Sequence, residues 1–289
     1  MNDMTLTSAP TTRAETRARP AAAGKADTGS AGRRRTGLVT KLAAIAAVLL
    51  IWQLIAMSSM VDDDSLPSPV EAAQALVGLW GTSEYWTALG TTVRVWATGL
   101  ALCAVIGIPL GLLLGASLRA TQSTRWIIDF FRSIPTIALL PLVLLLFGAT
   151  SQMEITMIVL AAIWPLLIQS MYAAKQVEPL HKWVVRVFRI SLADRLRYLW
   201  VPSVTLLVFT GLRLAATMAL LMTISAEYIG GAEGLGLELS HMEQAFQRPE
   251  VFAYAITAGV LGLLINTLIV AAQRRLLWWH PSIRGERPA

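Results

Sequence analysis

The chain has 289 residues, of which 55% are hydrophobic and 15% charged, and its mean hydropathy is +0.58. Soluble domains carry about a quarter charged residues, so this deficit excludes an ordinary water-soluble globule and places the chain in the membrane class. The net charge of +6 does not mark a nucleic-acid binder, because the basic residues sit in short blocks at the ends of apolar runs, the pattern that sets membrane topology.

Residues 1–37 are rich in Ala, Thr, Arg and Gly with almost no large apolar side chains. Such a stretch cannot offset its ordering entropy and is expected as a disordered cytoplasmic tail. The first transmembrane unit, 38–65, opens with the apolar run Leu38–Met57, long enough to span. Arg33, Arg34, Arg35 and Lys41 precede it and Asp62, Asp63 and Asp64 follow it, which puts the N-terminus inside. A signal peptide is the competing reading, but the run is long and lacks a small-x-small cleavage site. Residues 66–90 read as an external amphipathic segment. Its Leu66-Pro67-Ser68-Pro69 turn leads into a helix through Glu71, Ala75 and Trp80, and Trp80, Tyr85 and Trp86 stand where an interfacial aromatic belt is expected.

A core domain is expected over 91–277. Span two covers Thr92–Leu118, with Gly107, Pro109, Gly111 and Gly115 offering small residues for close helix approach. Span three, Ile127–Phe147, carries Arg132, Pro135 and Pro141, and span four, Ile155–Tyr172, contains Pro165. These prolines read either as gating kinks or as fixed structural kinks. Span five runs from Val204 to about Ile224, followed by the acidic, glycine-punctuated external segment Glu227–Glu250. Span six, Val251–Ala272, ends at Arg274, Arg275, Trp278 and Trp279, and 278–289 form a second cytoplasmic tail. The fold class is therefore all-α and polytopic, with about six transmembrane helices in a bacterial cytoplasmic (inner) membrane and both termini cytoplasmic. The single cysteine, Cys103, lies in an apolar run, so no intrachain disulfide forms.

One long basic segment interrupts the apolar pattern, the cytoplasmic loop 174–203. Val177–Pro179 ends the preceding span. Trp183, Val184, Val187 and Phe188 recur at helical spacing on one face, with Lys182, Arg186 and Arg189 on another. Ser191 and Asp194 have capping-box spacing and restart a second short helix with Leu192, Leu196 and Leu199 on one stripe. This helix–turn–helix presents an apolar ridge with a cationic border. From these residues alone, docking a soluble partner and resting on anionic membrane lipid fit equally.

Several blocks together resemble the permease subunit of a type I ATP-binding-cassette importer, and most of all its nitrate, sulfonate and taurine branch. They are Leu66-Pro67-Ser68-Pro69, GIPLGLLLG (Gly107–Gly115), RSIPTIALLPLVLLLFG (Arg132–Gly148), GLRLA (Gly211–Ala215) and AEYIGGAEGLG (Ala226–Gly236). The resemblance implies a coupling helix that fits a groove in the ATPase subunit, an assembly with two such ATPase subunits, a second permease subunit forming a homodimer or heterodimer, and an external substrate-binding protein. It implies no cofactor and no nucleic acid. The family's E-A-A-x-x-x-G coupling signature aligns onto Trp183, Val184 and Val185, with Arg189 at the glycine position, so the signature has departed here. The coupling residues implied are Lys182, Trp183, Val184, Val185, Arg186, Val187, Phe188, Arg189 and Ser191.

Arg132, Thr136, Gln169, Arg213, Thr217, Met218 and Thr223 are candidates for the translocation path. The arginines serve equally as snorkelling or paired residues, and the hydroxyls as bonds to their own helix. Asn266 is costly to bury and is expected to face another helix. Glu227, Glu233 and Glu238 flank the external glycine turn and read either as a docking site for the binding protein or as a solvated loop. His181, His241 and His280 show no metal-ligand spacing. No G-x-x-x-x-G-K-[ST] loop occurs, so ATP hydrolysis is expected in a separate subunit and the chain is not itself an enzyme. An ion-gradient-driven secondary transporter is the rival, and it would carry carboxylates near the midplane and an inverted repeat. Apart from Glu154, at the outer edge of span four, no acidic residue is expected in or beside a span. A non-transporting membrane anchor is a third reading.

Overall fold

In a computed structural model of the chain, residues 30–58, 66–176 and 191–278 are described. All the regular structure among them is helical. The chain divides into two compact units, 1–51 and 52–289. Helix α1 (Ser30–Ala56) runs across that division, and its described apolar part is Ala43–Ala56. Within the second unit, the Trp52 indole N–H donates to the Pro67 carbonyl at 3.1 Å and its ring lies 5.7 Å from Phe252.

The turn before α2 (Pro69–Leu79) is capped as its sequence demands. The Ser68 hydroxyl accepts from the Glu71 N–H and the Glu71 carboxylate accepts from the Ser68 N–H, a complete capping box with Pro69 at the first position. Helix α3 (Ser83–Ala116) begins earlier than the Thr92 expected for span two. The reason is Tyr85, placed above in an aromatic belt but only 3% exposed, whose hydroxyl shares a 3.1 Å hydrogen bond with Thr257. That buried contact draws the first turns of α3 into the bundle. Trp80 and Trp86 do lie at the surface, about half exposed.

The expected third span is not one helix. Helix α4 (Leu118–Arg132) stops at Ser133, a 3₁₀ turn covers Thr136–Leu139, and α5 (Leu140–Phe147) leaves at 69° to α4. Pro135 holds an extended backbone (φ −62°, ψ 105°) and Pro141 occupies the first turn of α5, the place where a missing N–H is harmless. These two prolines thus set a fixed break. By contrast, Pro109 in α3 and Pro165 in α6 (Ser151–Lys175) are carried inside continuous helices. After a short helical turn at Leu192–Asp194, a π-helical turn, Arg195–Trp200, leads into α7 (Val201–Gly230). The wider turn admits Pro202, which has no N–H to give. Helix α7 continues past Ile224 to the glycine cap at Gly231, whose φ of +72° is left-handed. Helices α8 (Leu235–Gln244) and α9 (Arg248–Leu276) complete the unit.

Among the described residues, α3, α6, α7 and α9 are long and apolar enough to cross a membrane, and the bent α4–α5 pair makes up to five crossings. Between helices already immersed in lipid there is little hydrophobic force, so close packing must hold them together. The glycines of α3 provide it. A Cβ added at Gly111 would sit 2.5 Å from the Leu167 carbonyl oxygen, and one at Gly115 would sit 2.4 Å from that of Met171. Successive contacts, Gly99 with Ile158 through to Gly115 with Ala174, show that α3 and α6 run parallel. Gly211 meets Gln169 and Gly230 meets Met153, so α7 runs antiparallel to α6. The Trp96 indole N–H ties α3 to the Ala216 carbonyl of α7 at 3.0 Å. Ala116, Lys175, Val201 and Leu276 therefore mark one end of the bundle, and Ser83, Ser151, Gly230 and Arg248 the other.

Candidate functional site

At the Ser83 end the chain builds a sealed polar network. Glu154 and Glu227 are 1% and 0% exposed. Glu227, expected above in an external segment that either docks a partner or is a solvated loop, instead closes α7 from inside, because that helix runs on to Gly230. Its carboxylate accepts from the Gly236 N–H at 2.9 Å, the Thr92 hydroxyl is a further hydrogen-bonding neighbour, and the Thr92 oxygen accepts from the Leu235 N–H at 2.9 Å. One oxygen of each carboxylate, Glu154 Oε2 and Glu227 Oε1, has no hydrogen-bond partner in the protein. This network explains the spacing of AEYIGGAEGLG. A Cβ at Gly234 would fall 2.1 Å from Glu227 Oε1, and one at Gly236 only 2.4 Å from the Ile224 carbonyl oxygen. Only glycine lets the loop backbone close over the carboxylate. Two buried acidic residues, rather than Glu154 alone, thus lie at the span ends, but Glu227 is engaged in holding the loop.

Glu233 and Glu238 stay nearer the surface. With Glu84 they line an open cleft of about 390 Å³ between α3 and the start of α8. Burial, and then the neighbouring Glu84 carboxylate, hold the Glu238 carboxyl above its usual range, against the pull of the His241 imidazole 3.9 Å away.

The candidate path residues divide. Arg213 donates through Nε to the Asn266 side-chain oxygen at 2.7 Å. Thr217, whose hydroxyl donates to the Arg213 carbonyl, and Met218 follow on the same exposed side of α7. Asn266 faces another helix, as its polarity requires. Thr223 does not join them: it is 0% exposed, and its hydroxyl is spent on the Ala219 carbonyl at 2.8 Å. Gln169 sits on the α6–α7 seam, with its Cβ in the place a side chain at Gly211 would need. Thr136 begins the 3₁₀ turn, and Arg132 ends α4 with a 3.4 Å ion pair to Asp129. Arg213 and Arg132 therefore occupy separate places. Sequence reasoning missed Arg125, Asp129 and Lys175, which join Arg132 around one cavity; the signal for Arg125 and Asp129 was the polar stripe on α4, hidden because the break at Pro135 was read as part of a span, and Lys175 ends α6.

Of the coupling residues, Lys182, Trp183, Val184, Val185, Arg186, Val187, Phe188 and Arg189 lie outside the described residues, as does Val177–Pro179. Ser191 is described and behaves as its spacing predicts. Its hydroxyl donates to the Asp194 carboxylate at 2.7 Å and accepts from the Asp194 N–H at 3.2 Å. Cys103 is buried and unpaired, and no group of three metal-binding side chains occurs among the described residues.

Known proteins are similar to this chain in sequence and in fold. The chain is 28% identical to the aliphatic sulfonates transport permease SsuC of Bacillus subtilis, over 88% of this chain and 92% of that one. It is also 28% identical to the bicarbonate transport system permease CmpB of Synechococcus elongatus, over 83% and 90% of the two chains. A third relative, the nitrate import permease NrtB of Leptolyngbya laminosa, is 28% identical over 77% and 81%. The fold of the present chain matches a chain of the MetNI methionine ABC transporter in an inward-facing conformation, with a TM-score of 0.55, 18% identity, and coverage of 67% of this chain and 94% of that one. Residues 107–277, from Gly107 on the α3–α6 seam to the residue after α9, match the family model described as the binding-protein-dependent transport system inner membrane component. Joined to a bundle held by that seam and closed by a glycine loop, the match establishes that the chain belongs to this family and is a multi-pass permease of an ABC importer.

Proposed function

We propose that the chain forms the translocation path for a small oxyanion, such as a sulfonate, nitrate or bicarbonate. The observation that carries this is Arg213. Counted along the helix, its Cα lies about 18 Å from the start of α7 at Val201, deep in the hydrocarbon if α7 spans. There a guanidinium is costly unless it is paired or faces a polar cavity. Its hydrogen-bond partner among the described residues is the neutral Asn266, which orients the guanidinium without supplying a counter-charge. Facing a second permease subunit, a pair of such arginines would line an anion-selective channel. The relatives support the same class, since sulfonate, bicarbonate and nitrate are all small oxyanions.

The driving force comes from two ATPase subunits engaged on the loop 174–203, with an external binding protein delivering the anion to the end that carries Glu84, Glu233 and Glu238. The basic Lys175 end is cytoplasmic, as are both termini, by the positive-inside pattern. Uptake of labelled alkanesulfonate, nitrate and bicarbonate by cells lacking the chain, with and without its restoration, tests the reading. Restored uptake of one of these anions is expected, and Arg213→Gln should cut that uptake at least about tenfold. Restored uptake of a cation or neutral solute alone, or an undiminished Arg213→Gln, would overturn it.

A further inference from the structure

A second concentration of positive charge lies away from Arg213. At the Lys175 end, α4 and α6 enclose a cavity of about 340 Å³ whose polar wall is formed by Arg125, Asp129, Arg132 and Lys175. Three cations face one carboxylate there, a net charge of +2. The carboxylate does not consume them. Asp129 approaches Arg125 at 3.7 Å and Arg132 at 3.4 Å, longer than the roughly 2.8 Å of a full charge-assisted hydrogen bond. Lys175 lies over the Tyr172 ring at 5.8 Å, which holds it at the cavity without neutralising it. The opposite wall is apolar and firmly built, because Ile128 packs against Leu167 and Met171 while Phe131 stacks on Trp164 at 5.9 Å and 7°. So α4 is fixed on α6, which holds the stems of Arg125 and Arg132 beside Lys175 while their half-exposed to exposed guanidinium groups remain open to a ligand.

We propose that this cavity is an oxyanion-binding site, taking a phosphate, sulfonate or similar group between Arg125, Arg132 and Lys175. Planar guanidinium groups and an ammonium on two different helices surround the space from two sides, an arrangement that suits an oxyanion with several acceptor oxygens. The cavity volume exceeds that of a single phosphate group, so the oxyanion can carry a substituent. Two sources have this chemistry: the headgroup of an anionic phospholipid, and a soluble oxyanion leaving the transport path. Large apolar side chains of α4, Trp126 and Phe130, are 70% and 61% exposed beside the site. The cytoplasmic placement of the site rests on the topology proposed above, but the charge and geometry of the cavity do not.

The full chain, purified in a neutral detergent, is titrated in two arms. One arm uses short-chain phosphatidylglycerol against phosphatidylcholine, and the other sodium sulfate and ethanesulfonate at constant ionic strength. Saturable binding in either arm supports the site and names its source. In the arm that binds, Arg132→Gln should weaken affinity about fourfold, while Asp129→Asn, which removes the competing carboxylate among the described lining residues, should strengthen it by a similar factor. The opposite signs of the two single variants separate site chemistry from general damage to α4. No saturable binding in either arm, or equal weakening by both variants, overturns the proposal. An uptake failure with these signs intact would count against the transport reading alone.

Discussion

The α3–α6 seam gives the sharpest test of what holds the bundle together. Alanine at Gly111 would place a carbon 2.5 Å from the Leu167 carbonyl oxygen and 2.6 Å from the Ser170 Cβ, and at Gly115 it would lie 2.4 Å from the Met171 carbonyl oxygen and 2.7 Å from its Cα. These are backbone or backbone-proximal atoms with no rotamer to give, so the helices must separate by most of an ångström. Overpacking of this kind costs about 1–3 kcal/mol per site. Alanine also gains about 1 kcal/mol of helix propensity over glycine. Net losses of up to about 2 kcal/mol are therefore expected at Gly111 and Gly115. Two internal controls carry the same propensity gain. At Gly107 the nearest atom is 3.5 Å away, and at Gly90 nothing lies within 4 Å, so alanine there should be neutral to stabilising by up to about 1 kcal/mol. The double variant Gly111→Ala/Gly115→Ala should lose less than the sum, because one separation relieves both clashes. Thermal midpoints of the purified chain in detergent, followed by loss of the monodisperse species, should fall by several degrees for the first pair and hold or rise for the second. Gly111→Ala as stable as Gly107→Ala would refute the seam as the source of cohesion.

Replacing Glu227 by alanine strands the Gly236 N–H and opens a void beneath the loop, a loss of about 2–4 kcal/mol. Glu227→Gln keeps an acceptor oxygen and should stay within about 1 kcal/mol of the parent, so an amide as damaging as alanine would show that charge, not the hydrogen bond, holds the loop. Glu238 has a carboxyl raised by burial and by Glu84. The fold favours its protonated form, and its stabilising contribution is complete below the unfolded value of about 4.3 and fades as pH rises through the higher folded value. Glu238→Gln should therefore raise the thermal midpoint at pH 7 and leave it unchanged near pH 4, with solvent keeping the gain below about 1 kcal/mol; an equal change at both pH values would contradict this. Charged residues at both Trp183 and Phe188 should abolish co-purification with an ATPase subunit while membrane insertion persists, and unaltered co-purification would remove the loop from the docking role.

What the sequence made legible follows from how locally each feature is determined. The glycines at 107, 111 and 115 are small residues on one face of an apolar helix, and a face of that kind has one structural use. Ser68 with Glu71, and Ser191 with Asp194, are caps that depend only on residues three apart. The break between α4 and α5 was harder to place, because apolar residues continue on both sides of Pro135 and hydropathy does not register a 69° bend. Tyr85 was misplaced because its partner, Thr257, is remote in the chain. Glu227 was misread for the same reason. Nothing within its own helix shows that Gly236 and Thr92 converge on its carboxylate, and a glycine-rich stretch looks solvated until the buried group it wraps is known. Thr223 takes the second of the two readings open to a hydroxyl in a span, since it is satisfied on its own helix at the Ala219 carbonyl.

Reconstitution measures the central claim most directly. The chain would be placed in sealed vesicles with its ATPase subunits on the outside and the binding protein, loaded with labelled anion, enclosed in the lumen. Loss of label from the lumen that starts on adding ATP and stops when the ATPase is omitted is the predicted result. Equal loss without nucleotide would contradict a bundle that carries no motor of its own.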